Sequence, residues 1–219
     1  KSGALDGITF QEPSEKTWKS LIEGFEDIVR IVTIAPELKN AKRLIGLMSN
    51  MGITVSLGHS DATYEETEKA FHSGAKGITH IFNAMRAFHH REPGIAGFGL
   101  MNQNIYLQVI ADPFHLSNET LEFIFEVKNP EKIIIISDSI KGTEIVTKHH
   151  ALLDNVGTLQ GGSMTIIESA KRLIRLGFDK GKIMDCIGAN AWSYLLQKDE
   201  VSTVSIAETA KTTGEPVIH

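Results

Sequence analysis

Residues 53–70 read ITVSLGHSDATYEETEKA. The stretch opens as a short apolar strand and closes as an amphipathic helix. At the joint it presents Gly58-His59-Ser60-Asp61. A strand that ends on a polar, metal-competent side chain means little alone, so its weight depends on whether other strands end the same way. They do. "RIVTIAPE" (30–37) is strand-like and ends on Glu37, and "GITHIF" (77–82) delivers His80. "IYLQVIAD" (105–112) leads to Asp112 and His115, and "KIIIISDS" (132–139) ends on Asp138. The four consecutive isoleucines of that last strand suit burial on both faces of a parallel sheet.

Helices alternate with these strands. Ser14 reads as the N-cap of a helix carrying Trp18, Leu21, Ile22 and Phe25 on one face. Leu38–Met51 is helical with Leu44, Leu47, Met48 and Met51 inward. Helices are also predicted over Thr63–His72 and Ser117–Val127. Further ones follow at 164–176, capped near Ser163, at 179–187 and at 189–197. A long glycine-rich loop is expected after residue 82, a hairpin around "LLDNVGTLQGG", and short strands at the C-terminus. Strand and helix in alternation are the signature of an α/β fold with a parallel sheet, read here as a (β/α)8 TIM barrel. An open doubly wound sheet is the alternative, although no GxGxxG follows the first strand.

The functional groups recur about once per βα unit. Their spacings are 59−37=22, 80−59=21, 115−80=35 across the long loop and 138−115=23. In a parallel barrel the C-terminal strand ends gather on one face, where active sites sit. Glu37, His59 and His80 form a ligand set suited to one divalent ion, Zn2+ or Fe2+. Asp138 is placed to move a proton, which makes metal-assisted hydrolysis of a C–N or C–O bond the expected chemistry. Arg86, His89, His90 and Arg91 make the long loop cationic and point to an anionic substrate. Plainer readings compete. His59 could cap or face solvent, Glu37 could serve a helix N-terminus, and Asp138 could belong to a turn. Arg91 could only pair with Glu92. His89 and His90 read as solvated, Met48 and Met51 as core, and His72, His149, His150 and His219 as structural.

The 219 residues are 42% hydrophobic and 22% charged, with a net charge of −5. No attraction to nucleic acid or to an anionic membrane is implied, and no run is long and apolar enough to span a bilayer. The single cysteine, Cys186, allows no internal disulfide and fits a cytoplasmic setting.

Seven motifs then occur in order: TIAPE (33–37), GHSDATYEE (58–66), THIFNAM (79–85), HREPGIAG (90–97), ADPFHLS (111–117), ISDSIKGT (136–143) and GTLQGGSMTIIES (157–169). Together they resemble the N-acetylglucosamine-6-phosphate deacetylases of the amidohydrolase superfamily. The resemblance implies a metal-dependent (β/α)8 barrel with a small β-sandwich built from the chain's two ends. It implies removal of the acetyl group from N-acetylglucosamine 6-phosphate, a small amino-sugar phosphate, by a cytoplasmic homodimer. By motif, Glu37, His59 and His80 would be metal ligands and Asp138 the general base and acid. Asn83, Ala84, Arg91 and His115 would contact substrate, Arg91 through phosphate and in a neighbouring subunit's site.

The chain opens where the family's early strands would already have passed. The barrel, residues 1–198, is therefore expected to lack its N-terminal part, with 199–219 supplying strands of the small β domain. Pro113 replaces a family glycine, and Gly161-Gly162 replaces Gly-Ser. Two alternatives stay open: another amidohydrolase acting on a different amide, and a catalytically inactive sugar-phosphate-binding remnant.

Overall fold

The computed structural model describes residues 1, 3, 11–140, 151–154 and 157–196. Five strands, β1 (Ile31–Ile34), β2 (Thr54–Leu57), β3 (Ala75–Ile78), β4 (Tyr106–Ile110) and β5 (Ile133–Ile136), form one sheet. Every pairing is parallel and the spatial order is β1-β2-β3-β4-β5, the same as the chain order. A doubly wound sheet requires a reversal of strand order; these five strands contain none. The expected strands at 199–219 and the residues His149, His150 and His219 lie outside the described residues.

One face of the sheet is apolar. Val55, Leu57, Ile78, Leu107, Val109, Ile133 and Ile135 are buried in a core shared with the helices, and burying each such side chain contributes about 1.5–3 kcal/mol. Over this face pack α2 (Ala41–Asn50), α3 (Tyr64–His72), α4 (Gly94–Met101), α5 (Asn118–Val127), α6 (Ile166–Arg175) and α7 (Lys180–Ile187). The opposite face is partly polar. Thr79 Oγ1 donates to Ser56 Oγ at 2.7 Å and lies 3.0 Å from Thr33 Oγ1. Tyr106 and Ile134 meet Tyr194 of α8 (Ala189–Leu196) there. Among the described residues no helix is long and apolar enough to cross a membrane.

Local chemistry accounts for the helix starts. Ser14 accepts from Thr17 N–H to cap α1 (Glu15–Ile22), and Ser117 accepts from Thr120 N–H to cap α5. Thr63 and Glu66 form a capping box on α3. Helix α6 has the same device in Thr165 and Glu168, so its cap is Thr165 and not the neighbourhood of Ser163. In α1, Trp18 and Ile22 are buried while Leu21 is exposed, and Phe25, expected on the same face, lies beyond the end of the helix and is exposed. Met48 is buried, but Met51 follows the last turn of α2 and faces solvent.

The expected glycine-rich loop contains a helix. Residues Gly94–Leu100 of α4 are all buried, which leaves no polar face and therefore no helical period to read. Glycine serves contact here: a Cβ on Gly99 would lie 2.4 Å from Ile78 Cδ1 and 2.8 Å from Leu107 Cδ2. Strand β3 lies earlier than the 77–82 run suggests, because its first residues, Ala75-Lys76-Gly77, carry little apolar bulk. The expected hairpin is present as a bridge between Leu153 and Leu159, with Gln160 N–H donating to the Leu152 carbonyl at 2.7 Å.

Candidate active site

All five strands are parallel, so their C-terminal ends share one edge of the sheet. His59, His80, Asp112 and Asp138 each sit two residues beyond the last residue of β2 to β5 (59−57, 80−78, 112−110, 138−136), and Glu37 sits three beyond β1. Three of these residues turn sharply out of their strands: φ is +48° at His59, +32° at His80 and +49° at Asp138. Phe82 and Ala84, in the loop after His80, also have positive φ. Such non-glycine conformations cost on the order of 1–3 kcal/mol each and persist only where the surroundings over-determine them.

His59, His80, Asn83, Ala84, His115 and Asp138 line a cavity of about 380 Å³. Within it, His59 Nε2 and His80 Nε2 stand 3.1 Å apart with the rings at 75°. His80 is buried. Burial, and then the neighbouring His59, lower its pKa against a smaller opposing effect of Asp138, which keeps the ring neutral and able to act as a ligand. Its Nδ1 is buried without a well-formed hydrogen bond.

His115 is fixed by Asp112. Its Nδ1 lies 2.9 Å from Asp112 Oδ2, and its Nε2 lies 3.1 Å from the Gln160 carbonyl. The Asp112 side chain is itself buried and also accepts from the N–H groups of Phe114, His115 and Ser163. Burial alone would raise the Asp112 pKa. The hydrogen bonds from His115 and Ser163 outweigh it and hold the carboxyl well below the usual carboxylate range.

Two expected residues are placed differently. Glu37 lines an adjoining, more apolar cavity of about 640 Å³ together with His59. Its Oε2 accepts from Ser60 Oγ at 2.7 Å and its Oε1 from Asp61 N–H at 2.6 Å. Among the described residues no three His, Cys, Asp or Glu side chains converge closely enough to hold an ion. Arg91 is exposed, outside the residues that line the His59–His80 cavity, with Nη1 3.0 Å from His90 Nε2. Glu92 does not pair with it but accepts from the N–H groups of Tyr64 and Gly94.

Five of the seven sequence motifs, those carrying His59, His80, His115, Asp138 and Gly161, thus contribute residues to one cavity at one edge of the sheet. N-acetylglucosamine-6-phosphate deacetylase from Lysinibacillus sphaericus is 32% identical to the chain over 158 residues, 66% of this chain and 41% of that protein. The crystal structure of the enzyme of the same name from Thermotoga maritima superposes with a TM-score of 0.77 at 28% identity, covering 86% of this chain and 54% of that one.

The chain is similar to N-acetylglucosamine-6-phosphate deacetylases in sequence and in fold.

An N-acetylgalactosamine-6-phosphate deacetylase from Escherichia coli O157:H7 is 31% identical over 160 residues, 73% of this chain and 42% of that protein. No family model matches the chain. The chain spans less than half the length of these two curated relatives.

The spacing of the two imidazoles fits a divalent ion. Zn–N bonds of about 2.0–2.1 Å in a tetrahedron put neighbouring nitrogens about 3.3 Å apart, close to the 3.1 Å between His59 and His80. Glu37 shares the adjoining cavity with His59, and its oxygens are engaged by Ser60 and Asp61.

The sequence reading gave no supporting part to three features that hold the site together. Asp112 was legible from its i,i+3 spacing to His115. Ser60 holds Glu37, which no local pattern announces. Gly161 and Gly162 leave room for a close backbone approach: a Cβ on Gly162 would stand 1.9 Å from the Ser137 carbonyl oxygen, and one on Gly161 2.3 Å from that of Asp138.

Proposed function

We propose that this chain carries the catalytic part of a cytoplasmic, metal-dependent N-acetylglucosamine-6-phosphate deacetylase. In this reading the five parallel strands are an arc of a (β/α)8 barrel, and the enzyme works as a homodimer. The observation that carries it is the His59–His80 pair facing the same cavity as Asp138. His59, His80 and Glu37 would hold one divalent ion, Zn2+ or Fe2+. When bound, such an ion supplies Lewis-acid chemistry, polarising the acetyl carbonyl and making water more acidic.

The chain's own residues do the rest. Asp138 takes a proton from the attacking water and passes it to the amine as the amide C–N bond breaks. The water oxygen joins the acetyl carbon, giving acetate and glucosamine 6-phosphate. His115, oriented by Asp112, contacts the sugar, and Asn83 and Ala84 flank the phosphate. Arg91, exposed beyond the lining of the chain's own cavity, would serve the phosphate in a neighbouring subunit's site through its forked donors.

The test is acetate release by the purified chain from N-acetylglucosamine 6-phosphate, with the galactosamine epimer alongside and the metal content measured. About one ion per chain, with turnover that a chelator stops, supports the reading. Retained metal without turnover on either sugar refutes the substrate assignment, and absence of metal binding refutes the metal site.

A further inference from the structure

We propose that Arg86 is a positioning residue that locks the His59 and His80 loops, and the Glu37 carboxylate, into one arrangement. This rests on the metal-site reading above. Residues 59–61 and 80–86 follow adjacent strands and contain four of the strained residues: His59, His80, Phe82 and Ala84. Something must hold them against relaxation. The two loops are stitched by backbone bonds from Ser60 N–H to the Ala84 carbonyl at 3.1 Å and from Arg86 N–H to the Ser60 carbonyl at 2.9 Å.

The Arg86 side chain adds what the backbone does not. Its Nε donates to the Asp61 carbonyl at 2.7 Å, and its Nη2 lies 3.4 Å from Asp61 Oδ2. Asp61 is thereby held from both sides, because its N–H donates to Glu37 Oε1 at 2.6 Å. Arg86 thus bears on all three candidate ligands: through Asp61 its guanidinium reaches His59, two positions earlier, and Glu37 across the hydrogen bond, and its own backbone N–H ties the His80 loop into the stitch. The path of the side chain is built in. Gly94, at φ +62°, opens α4, and a Cβ there would lie 3.0 Å from Arg86 Cδ. Arg86 is not among the residues lining the His59–His80 cavity. Its expected part in a cationic, substrate-facing loop is therefore replaced by a supporting one. A planar fork can address a carbonyl and a carboxylate of the same residue at once, and a lysine ammonium cannot reproduce that geometry.

The test compares the parent chain with Arg86→Met, Arg86→Lys and, as a control, Arg175→Met at an exposed position on α6. Zn2+ affinity is measured by competition with a chromophoric chelator, and the visible absorption of the Co2+-loaded protein reports ligand geometry. Loss of an outer-shell partner typically weakens metal binding 10–100-fold. Arg86→Met should fall in that range with an altered Co2+ spectrum, Arg86→Lys should fall by at least about 5-fold, and Arg175→Met should match the parent. If Arg86→Met fails to fold, Arg86→Lys carries the test. Affinities of both Arg86 variants within 2-fold of a metal-binding parent, with an unchanged spectrum, would overturn the inference and leave the metal site standing. A parent that binds no metal would overturn both.

Discussion

Asp112→Asn is the most informative stability variant, because one buried carboxylate joins the β4 and β5 loops. Its Oδ1 accepts from Phe114 N–H and His115 N–H at 2.9 Å, and its Oδ2 accepts from Ser163 N–H and meets His115 Nδ1, both at 2.9 Å. Asparagine keeps the shape but turns one oxygen into a donor. With the amide oxygen kept toward Phe114 and His115, the new NH2 faces Ser163 N–H, donor against donor. One hydrogen bond to a charged group is lost, about 1.5–3 kcal/mol, and one buried N–H goes unpaired, about 1–3 kcal/mol. A loss of about 3–5 kcal/mol lowers the Tm by roughly 10 °C in a chain of this size.

The assay is thermal melting followed by circular dichroism, from pH 7 down to pH 2.5. The folded-state pKa of Asp112 is lowered. Its contribution is therefore complete above the unfolded value of about 3.9 and is lost as pH falls toward the folded value. The gap between parent and variant should hold steady above about pH 4 and narrow below it. A variant that melts within about 1 °C of the parent, or a gap unchanged at pH 2.5, would refute the reasoning.

Three further outcomes are expected. Gly162→Ala should give insoluble or strongly destabilised protein in expression and melting trials, because the added Cβ meets a backbone oxygen that cannot yield; a melt equal to the parent's would show the approach to be looser. Cys186 is buried, and burial pushes its thiol up to about 12. Ellman's reagent at pH 8 should leave it unmodified until guanidinium is added, and rapid labelling of the native chain would contradict that. Lys128 is buried with Nζ donating to the Gly99 and Asn102 carbonyls, and burial pushes its pKa down to about 7. The unfolded lysine stays charged to about 10.4, so stability should rise with pH between about 7 and 10. Lys128→Met should flatten that slope in urea titrations, and equal slopes would remove Lys128 as its source.

What could be read without coordinates was whatever depends on near neighbours in the chain. Apolar runs announced the strands, β5 most plainly, since a strand buried on both faces must be apolar throughout, whereas β3, opening on Ala75-Lys76-Gly77, was announced only by the run at its end. Ser14, Thr63 and Ser117 announced helix starts, since a cap bonds within three residues. The recurrence of His59, His80 and Asp138 at strand ends was legible because a parallel sheet puts all those ends on one edge. Helix α4 was not legible, because a helix buried on every side has no period. Nor were the exposed positions of Leu21, Phe25 and Met51, which depend on what packs beside them.

The sequence by itself determined the alternation of strand and helix, the order of the motifs and the kinds of side chain delivered to the site edge. Only the tertiary structure decided their use. It set the two imidazoles 3.1 Å apart, turned both oxygens of Glu37 onto Ser60 and Asp61, and spent Arg86 on Asp61. The physical reason is distance along the chain: Glu37 and Arg86 each meet Asp61 from about two dozen residues away. Hydrogen bonds of that separation form only once the sheet has brought neighbouring strand ends together, and no local pattern encodes them.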